Sequence, residues 1–198
     1  MSAPRYPVTL SRMEPRARFE ASGKHEDLLA GLRAAGMPIP ERHNASGTSE
    51  AGVRVDWLGP RRFVVSAPYR QEETLGRALH AAFRGIAAAD VVCITDMVAT
   101  FQLSGAGGTE VLAQGTPIDT GRAVFAPGSA TGTDLWGVAA TLERPLDMPD
   151  DLRVTVDRSL AGYIEGWLMT AAGLASDLKP GVMLSALPPA TPSDPAYP

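Results

Sequence analysis

Hydrophobic and polar positions follow two different periods along this chain. Residues 53–57 (Val-Arg-Val-Asp-Trp) alternate between apolar and charged side chains, which is the period of a strand with one buried face. Leu75, Leu79 and Phe83 instead recur at the spacing of one helix face. Because the two periods are interspersed along the chain, the pattern predicts an α+β fold. We expect a single compact domain in which helices pack on a mixed or antiparallel sheet.

The same patterns locate the individual elements. Helices are predicted over 24–35 with Ser22 as N-terminal cap, over 71–86, in a short segment that ends at Gly115, and between Asp157 and Gly173. Strands are predicted at 16–20, 53–58, 61–66, 91–94, 100–104 and 152–156, and as a pair within 129–144. The continuous apolar run 91–94 is typical of a central strand. No internal repeat is evident.

The last predicted helix carries the strongest periodic signal in the chain. Its apolar stripe consists of Leu160, Tyr163, Ile164, Trp167, Leu168 and Ala171. We expect this stripe to face the core, with Trp167 mostly buried.

Prolines divide the chain into three parts. Pro4, Pro7 and Pro15 lie in the first 15 residues, and residues 176–198 contain six more prolines. Each proline lacks an amide donor, which disfavours packed elements. We therefore predict an extended N-terminal arm at 1–15, an α+β domain at 16–175, and an extended Pro-rich tail at 176–198. Both arms would suit contact with a partner protein.

Charge and composition exclude several classes of protein. The 18 Lys and Arg against 22 Asp and Glu give a net charge of −4 without a basic stripe, which argues against a nucleic acid partner. The single cysteine, Cys93, forms no internal disulfide and belongs to no zinc motif. No apolar run approaches the roughly 18 residues of a membrane span, and the N-terminus lacks a secretory signal. The expected location is the cytoplasm, away from the membrane.

Reactive side chains are few and scattered. His25, His43 and His80 have no second histidine or cysteine at helical spacing, so each is predicted to be a solvated surface residue. Cys93 falls in the apolar run 91–94, where a buried thiol keeps its proton and stays inert. The segment Gly105–Gly108 departs from phosphate-loop motifs and is expected to be a tight strand-to-helix turn. We accordingly predict no catalytic, cofactor-binding or metal-binding residue in this chain.

Several segments together resemble one known family. They are 57–63 (WLGPRRF), 96–105 (DMVATFQLSG), 111–119 (VLAQGTPID), 125–131 (FAPGSAT), and 156–159 (VDRS) followed by Trp167 and Leu168. This combination is similar to the gamma subunit of heterotetrameric sarcosine oxidase. The resemblance extends over about residues 8–173.

The resemblance implies a function that no single motif carries. The family's complex is a flavoenzyme that oxidatively demethylates sarcosine or a related N-methylated amine in one-carbon metabolism. FAD, FMN, NAD, zinc and tetrahydrofolate are held by other subunits, so the chain would be a non-catalytic structural subunit with alpha, beta and delta partners. The implied fold is that of the folate-binding glycine cleavage T-protein.

Two alternatives remain open at this stage. One is a folate-binding, T-protein-like module in one-carbon transfer, which predicts a central hollow that presents an acidic or polar residue. The other is a free-standing small-molecule binding domain without partners. Tetrahydrofolate titration distinguishes the first alternative, and size-exclusion chromatography of the purified chain distinguishes the second.

Overall fold

The computed structural model describes residues 5–174, which form ten strands and four α-helices. The strands are β1 (Thr9–Arg12), β2 (Arg16–Gly23), β3 (Ser46–Thr48), β4 (Arg54–Gly59), β5 (Arg62–Pro68), β6 (Ala89–Cys93), β7 (Val98–Ser104), β8 (Ser129–Leu135), β9 (Val138–Arg144) and β10 (Asp151–Asp157). The helices are α1 (His25–Ala34), α2 (Glu72–Phe83), α3 (Gly108–Leu112) and α4 (Ala161–Ala172).

The strands form two antiparallel sheets of five strands each. One sheet has the order β1-β7-β10-β9-β8 and the other has the order β3-β4-β5-β2-β6. Hairpins connect neighbouring strands, as in β8 and β9, where Trp136 and Gly137 both take positive φ as a two-residue type I′ turn requires. This arrangement confirms the predicted α+β class with antiparallel sheets and packed helices.

Each sheet has its own hydrophobic core on the face that its helices cover. In β7, Ala99, Phe101 and Leu103 join the core that includes Ile164 and Leu168 of α4. In the other sheet, alternate residues of β2, β4 and β5 pack with α1 and α2 in a second core. The cores are therefore separate, and each is built from the apolar half of an alternating strand pattern.

The polar halves of the two sheets face each other. Arg18 of β2 is ion-paired to Glu143 of β9, across the space between the sheets. At one side the sheets are joined by backbone bonds, since the Ser46 amide donates to the Gly128 carbonyl at 2.8 Å. The layers therefore run helix, sheet, polar layer, sheet, helix.

The two sheets repeat one topology, which the sequence did not reveal. The spatial order β3-β4-β5-β2-β6 corresponds strand by strand to β8-β9-β10-β7-β1. The last strand of the second half is β1, from the start of the chain, and the Arg5 amide donates to the Ala172 carbonyl of α4 at 3.1 Å. The prediction of no internal repeat was wrong, because the repeat lies in a permuted topology and not in side-chain identity.

The N-terminal segment packs on its own domain. Thr9–Arg12 pairs with β7, Val8 is only 7% exposed, and Tyr6 packs on the same core. The prediction of an arm reserved for a partner was wrong for this part, because the edge of β7 offers unpaired backbone groups to an extended segment. Residues 1–4 and 175–198 lie outside the described residues, so the predicted tail at 176–198 stays a prediction.

Two predicted elements differ in placement. The run 91–94 lies within and just beyond β6, an edge strand whose Val92 is 52% exposed, because the chain crosses to the other sheet directly after it. Ser22 belongs to β2, and α1 begins after Lys24 without a side-chain cap. Asp157 does act as a cap: its Oδ1 accepts from the Ser159 amide at 2.8 Å in the short turn before α4.

The apolar stripe of α4 is only partly buried. Ile164, Leu168 and Ala171 lie in the core, whereas Leu160 and Tyr163 are 39% and 44% exposed. Trp167 is only partly exposed and stacks on Trp136 at a centroid distance of 5.8 Å. Trp167 is thus mostly buried, as predicted, but the predicted stripe is wider than the face that the sheet covers, since Leu160 and Tyr163 lie outside the core.

Candidate functional site

A cavity of about 820 Å³ lies in the polar layer between the two sheets. Strands β2 and β4 contribute lining residues from one sheet, and β7, β9 and β10 contribute them from the other. The connection from β1 to β2 and the segments 46–52 and 144–147 complete the lining. The hollow exists because the inward residues of these strands are polar and do not interdigitate as core residues would.

A buried ion cluster adjoins this cavity. Glu143 accepts from both neighbouring guanidinium groups, with its Oε1 at 3.3 Å from Arg18 Nη2 and its Oε2 at 3.0 Å from Arg54 Nη1. Arg54 Nε donates to Asp56 Oδ1 at 2.7 Å, and Ser46 Oγ donates to the same oxygen at 2.5 Å. All four charged residues are less than 9% exposed. The cluster connects β2 and β4 of one sheet to β9 of the other.

Burial and the arginine charges act in opposite directions on the acidic groups. Burial alone would raise the pKa of Glu143, but the charges of Arg54 and Arg18 outweigh it and lower that pKa. Burial raises the pKa of Asp56, and the negative charge of Glu143 adds to this, against the opposing charge of Arg54. Glu143 is therefore the anion on which the ionised cluster depends.

Positive charge dominates the rest of the lining. Seven arginines and three acidic residues contribute to it. The Arg144 guanidinium points to loop carbonyls, including Phe125 O at 2.7 Å and Thr120 O at 2.9 Å, and holds those loops in place. Glu14 and Asp147 are exposed to solvent. Arginines thus outnumber acidic residues by seven to three in the lining, and Glu143 is the buried carboxylate among the described lining residues.

The histidines are dispersed over the molecule. His43 and His80 are exposed, as predicted. His25 is half-buried and stacks on Trp57 at a centroid distance of 4.8 Å, so the prediction of a solvated side chain was wrong for it. The reason is that α1 begins at His25, directly over the apolar face that Phe63 and Trp57 present.

Cys93 and the glycine turn also have definite positions. Cys93 is exposed at the end of the edge strand β6, and its Sγ lies 3.4 Å from Thr95 Oγ1, so the prediction of a buried thiol was wrong. Gly105 has a φ of +115°, and a Cβ on Gly107 would lie 2.7 Å from Tyr6 Cβ. The turn therefore uses glycine for backbone conformation and for close packing of the N-terminal segment, which confirms the predicted strand-to-helix turn.

The arginine side chains of the cavity are suited to bind negatively charged groups. Guanidinium groups bind carboxylates and phosphates through paired N–H donors and remain charged at neutral pH. Among residues 5–174, no group of three or more His, Cys, Asp or Glu side chains is placed to hold a metal ion. Over the same range, no helix is long and apolar enough to span a membrane.

The sequence did not predict the ion cluster, although Arg54 and Asp56 lie within the alternating run 53–57 that predicted a strand. Arg54 and Asp56 were assigned to the polar face of a half-buried strand, and such a face ordinarily meets water. The structure instead places a second sheet against it. An available signal was the recurrence of charge at alternate positions in more than one strand, as in Arg16 and Arg18 of β2 and Arg153 of β10.

Comparison with known proteins identifies the fold. No family model matches the sequence, and no curated protein is significantly similar to it. A chain of the heterotetrameric sarcosine oxidase from Corynebacterium sp. U-96, solved in complex with pyrrole 2-carboxylate, is similar in structure. The TM-score is 0.74 at 22% identity, and the match covers 87% of this chain and 88% of that one.

A second solved structure is similar over part of its length. The glycine cleavage system aminomethyltransferase T from Bartonella henselae matches with a TM-score of 0.65 at 16% identity. That match covers 83% of this chain but only 46% of the other. The chain has a T-protein-like fold. This fold is shared with a chain of a sarcosine-oxidising heterotetramer.

Proposed function

We propose that this chain is the gamma-type, non-catalytic structural subunit of a heterotetrameric flavoenzyme. The complex would oxidatively demethylate sarcosine or a related N-methylated amine in the cytoplasm. The observation that carries the proposal is the fold likeness to a chain of heterotetrameric sarcosine oxidase, because it covers 87% of one chain and 88% of the other. A likeness over most of both chains is expected of equivalent subunits and not of a shared fragment.

The placement of the recognised segments supports the same assignment. WLGPRRF forms the hairpin of β4 and β5, and DMVATFQLSG forms β7 with the turns on either side of it. FAPGSAT leads into β8, whose first residues join the two sheets. These segments build the framework around the polar layer, as expected if the resemblance to the family reflects a similar fold.

Exposed apolar side chains support a role in assembly. Four such side chains are between 39% and 70% exposed: Leu160 just before α4, Tyr163 on α4, Val124 and Leu146. Large apolar side chains that remain accessible are common where a subunit meets its partners. In this proposal the alpha, beta and delta subunits cover such surfaces and hold FAD, FMN, NAD, zinc and tetrahydrofolate, while this chain contributes packing surface alone.

Affinity capture tests the proposal. The chain, tagged and expressed in its native host, should bring down three further chains in equal amounts, and the purified sample should show the visible absorption of flavin. An untagged strain taken through the same purification is the control. Recovery of a colourless chain without partners would overturn the proposal.

A second candidate function is a folate-binding module of the T-protein type. The cavity between the sheets favours it, because that alternative predicts a central hollow with an acidic or polar residue. Glu143 does lie there, but Arg18 and Arg54 occupy its two oxygens. Titration of the chain with tetrahydrofolate, followed by tryptophan fluorescence, should show saturable quenching if this alternative holds and no saturable change under the leading proposal.

A further inference from the structure

The cavity between the sheets carries the opposite charge to the molecule as a whole. The chain has a net charge of −4. Its cavity is nevertheless lined by seven arginines and three acidic residues, of which Glu143 is the buried carboxylate. Glu143 balances only part of this charge. A concave site with low-dielectric walls and excess positive charge attracts anions.

Individual arginines of the lining have unused hydrogen-bonding capacity. Arg54 is 8% exposed, and its Nη2 is buried without a hydrogen-bond partner within the described part of the chain. Within residues 5–174, neither Arg16 nor Arg153 is ion-paired. Arg16 donates to the Gly52 carbonyl at 3.0 Å, and Arg153 donates to Gln102 Oε1 at 3.4 Å. A guanidinium has five N–H donors, so most of theirs are available to a ligand.

The electrostatics of Arg16 favour a bound anion. Burial lowers its pKa first, and the charges of Arg153 and Arg18 lower it further. Like charges held close together in a partly buried space repel one another, and an anion between them offsets that repulsion.

The remaining lining limits the kind of ligand. Of the described lining residues, none is aromatic, and the apolar contacts come from aliphatic side chains such as Met13, Val98 and Leu146. Apolar parts of a ligand would therefore contact these aliphatic side chains or the planes of the guanidinium groups. A volume of about 820 Å³ falls within the range of sites for small organic molecules and exceeds what a single inorganic ion needs.

We propose that the cavity between the two sheets binds a small organic anion with at least two carboxylate or phosphate groups. Arg16 and Arg153 would contact one group, and Arg54 would contact another. This inference does not depend on the proposed function, since a structural subunit and a free-standing domain could each contain such a site.

Isothermal titration calorimetry of the purified full chain tests this site, with citrate and inorganic pyrophosphate as separate probes at constant ionic strength. We expect saturable 1:1 binding of at least one probe. Arg16→Gln and Arg153→Gln should each weaken it by about tenfold or more, because each removes charge-assisted hydrogen bonds. Binding of citrate alone assigns a carboxylate ligand, and binding of pyrophosphate alone assigns a phosphate ligand.

The matched control is Arg77→Gln, which removes one positive charge from the exposed face of α2. It should bind the probe as the unsubstituted chain does. Arg153 forms no buried ion pair among the described residues, so Arg153→Gln should fold even if Arg16→Gln does not. The proposal is overturned if neither probe binds saturably, or if binding in Arg153→Gln equals binding in Arg77→Gln.

Discussion

Replacement of Glu143 by glutamine should lower the free energy of unfolding by about 3–5 kcal/mol, the usual cost of breaking a buried ion pair from one side. The substitution keeps the shape of the side chain but removes the negative charge between Arg18 and Arg54. Both guanidinium groups would then be buried in the polar layer without that counter-charge. Chemical denaturation of the variant and the unsubstituted chain at neutral pH measures the difference.

The stability difference between the unsubstituted chain and Glu143→Gln should depend on pH. Because the pKa of Glu143 is lowered on folding, its ionised form contributes stability that is present above the unfolded pKa, near 4.5. That contribution is lost as the pH falls through the still lower folded-state pKa. Glutamine resembles the protonated acid, so the stability difference between the two proteins should be full at pH 7 and should shrink below about pH 4.

Glu73→Gln is the matched control for this experiment. Glu73 is exposed on α2 and lies 3.8 Å from Arg77, and exposed pairs of this kind contribute little. Its loss should leave the denaturation midpoint nearly unchanged at every pH. If Glu143→Gln behaves like Glu73→Gln, the buried cluster does not hold the two sheets together.

Truncation of Phe101 to alanine should cost about 3–5 kcal/mol through lost transfer energy and the cavity left behind. Phe101 is fully buried in the core between its sheet and α4. Such a loss is a large share of the 5–15 kcal/mol of a typical domain. Little soluble protein is therefore expected, and thermal denaturation of what remains should show a strongly lowered midpoint.

Trp167→Ala provides the comparison for Phe101→Ala. Trp167 is partly exposed and stacked on Trp136, so its truncation should cost only about 1–3 kcal/mol. The test is which of the two substitutions lowers the stability more, because the sequence pattern alone would make Trp167 the more important core residue. Equal or greater destabilisation by Trp167→Ala would contradict the assignment of the core to the sheet side of α4.

The sequence was sufficient to predict most helices and strands, but not β1 or β3, and it did not predict what the polar faces of the strands meet. Alternation in residues 53–57 correctly located β4, and the spacing of Leu75, Leu79 and Phe83 correctly located α2. These signals are local, since they depend on which side of an element meets apolar surroundings. The same signals indicate that the opposite face of each element is polar. A polar face can meet either water or another polar face, and the local pattern does not distinguish the two.

Long-range arrangement accounts for the predictions that failed. The pairing of β1 with β7 joins residues separated by almost the whole first half of the chain, and no local pattern specifies it. The same applies to Arg18 and Glu143, which are 125 residues apart in sequence. Likewise, β6 is an edge strand because the next strand, β7, pairs in the other sheet. The candidate site was missed because it exists only when two sheets are brought together.

In the proposed function, this chain supports a flavoenzyme without taking part in its chemistry. The most direct measurement uses cells from which the chain has been deleted and then resupplied, and it follows both assembly of the flavin-containing complex and amine oxidation per bound flavin. Our account predicts that deletion abolishes assembly and that resupply restores it. Resupply with a triple substitution of His25, His43 and His80 by alanine should give the same turnover per flavin. A fully assembled complex without this chain, or a loss of turnover per flavin in the assembled triple variant, would contradict the account.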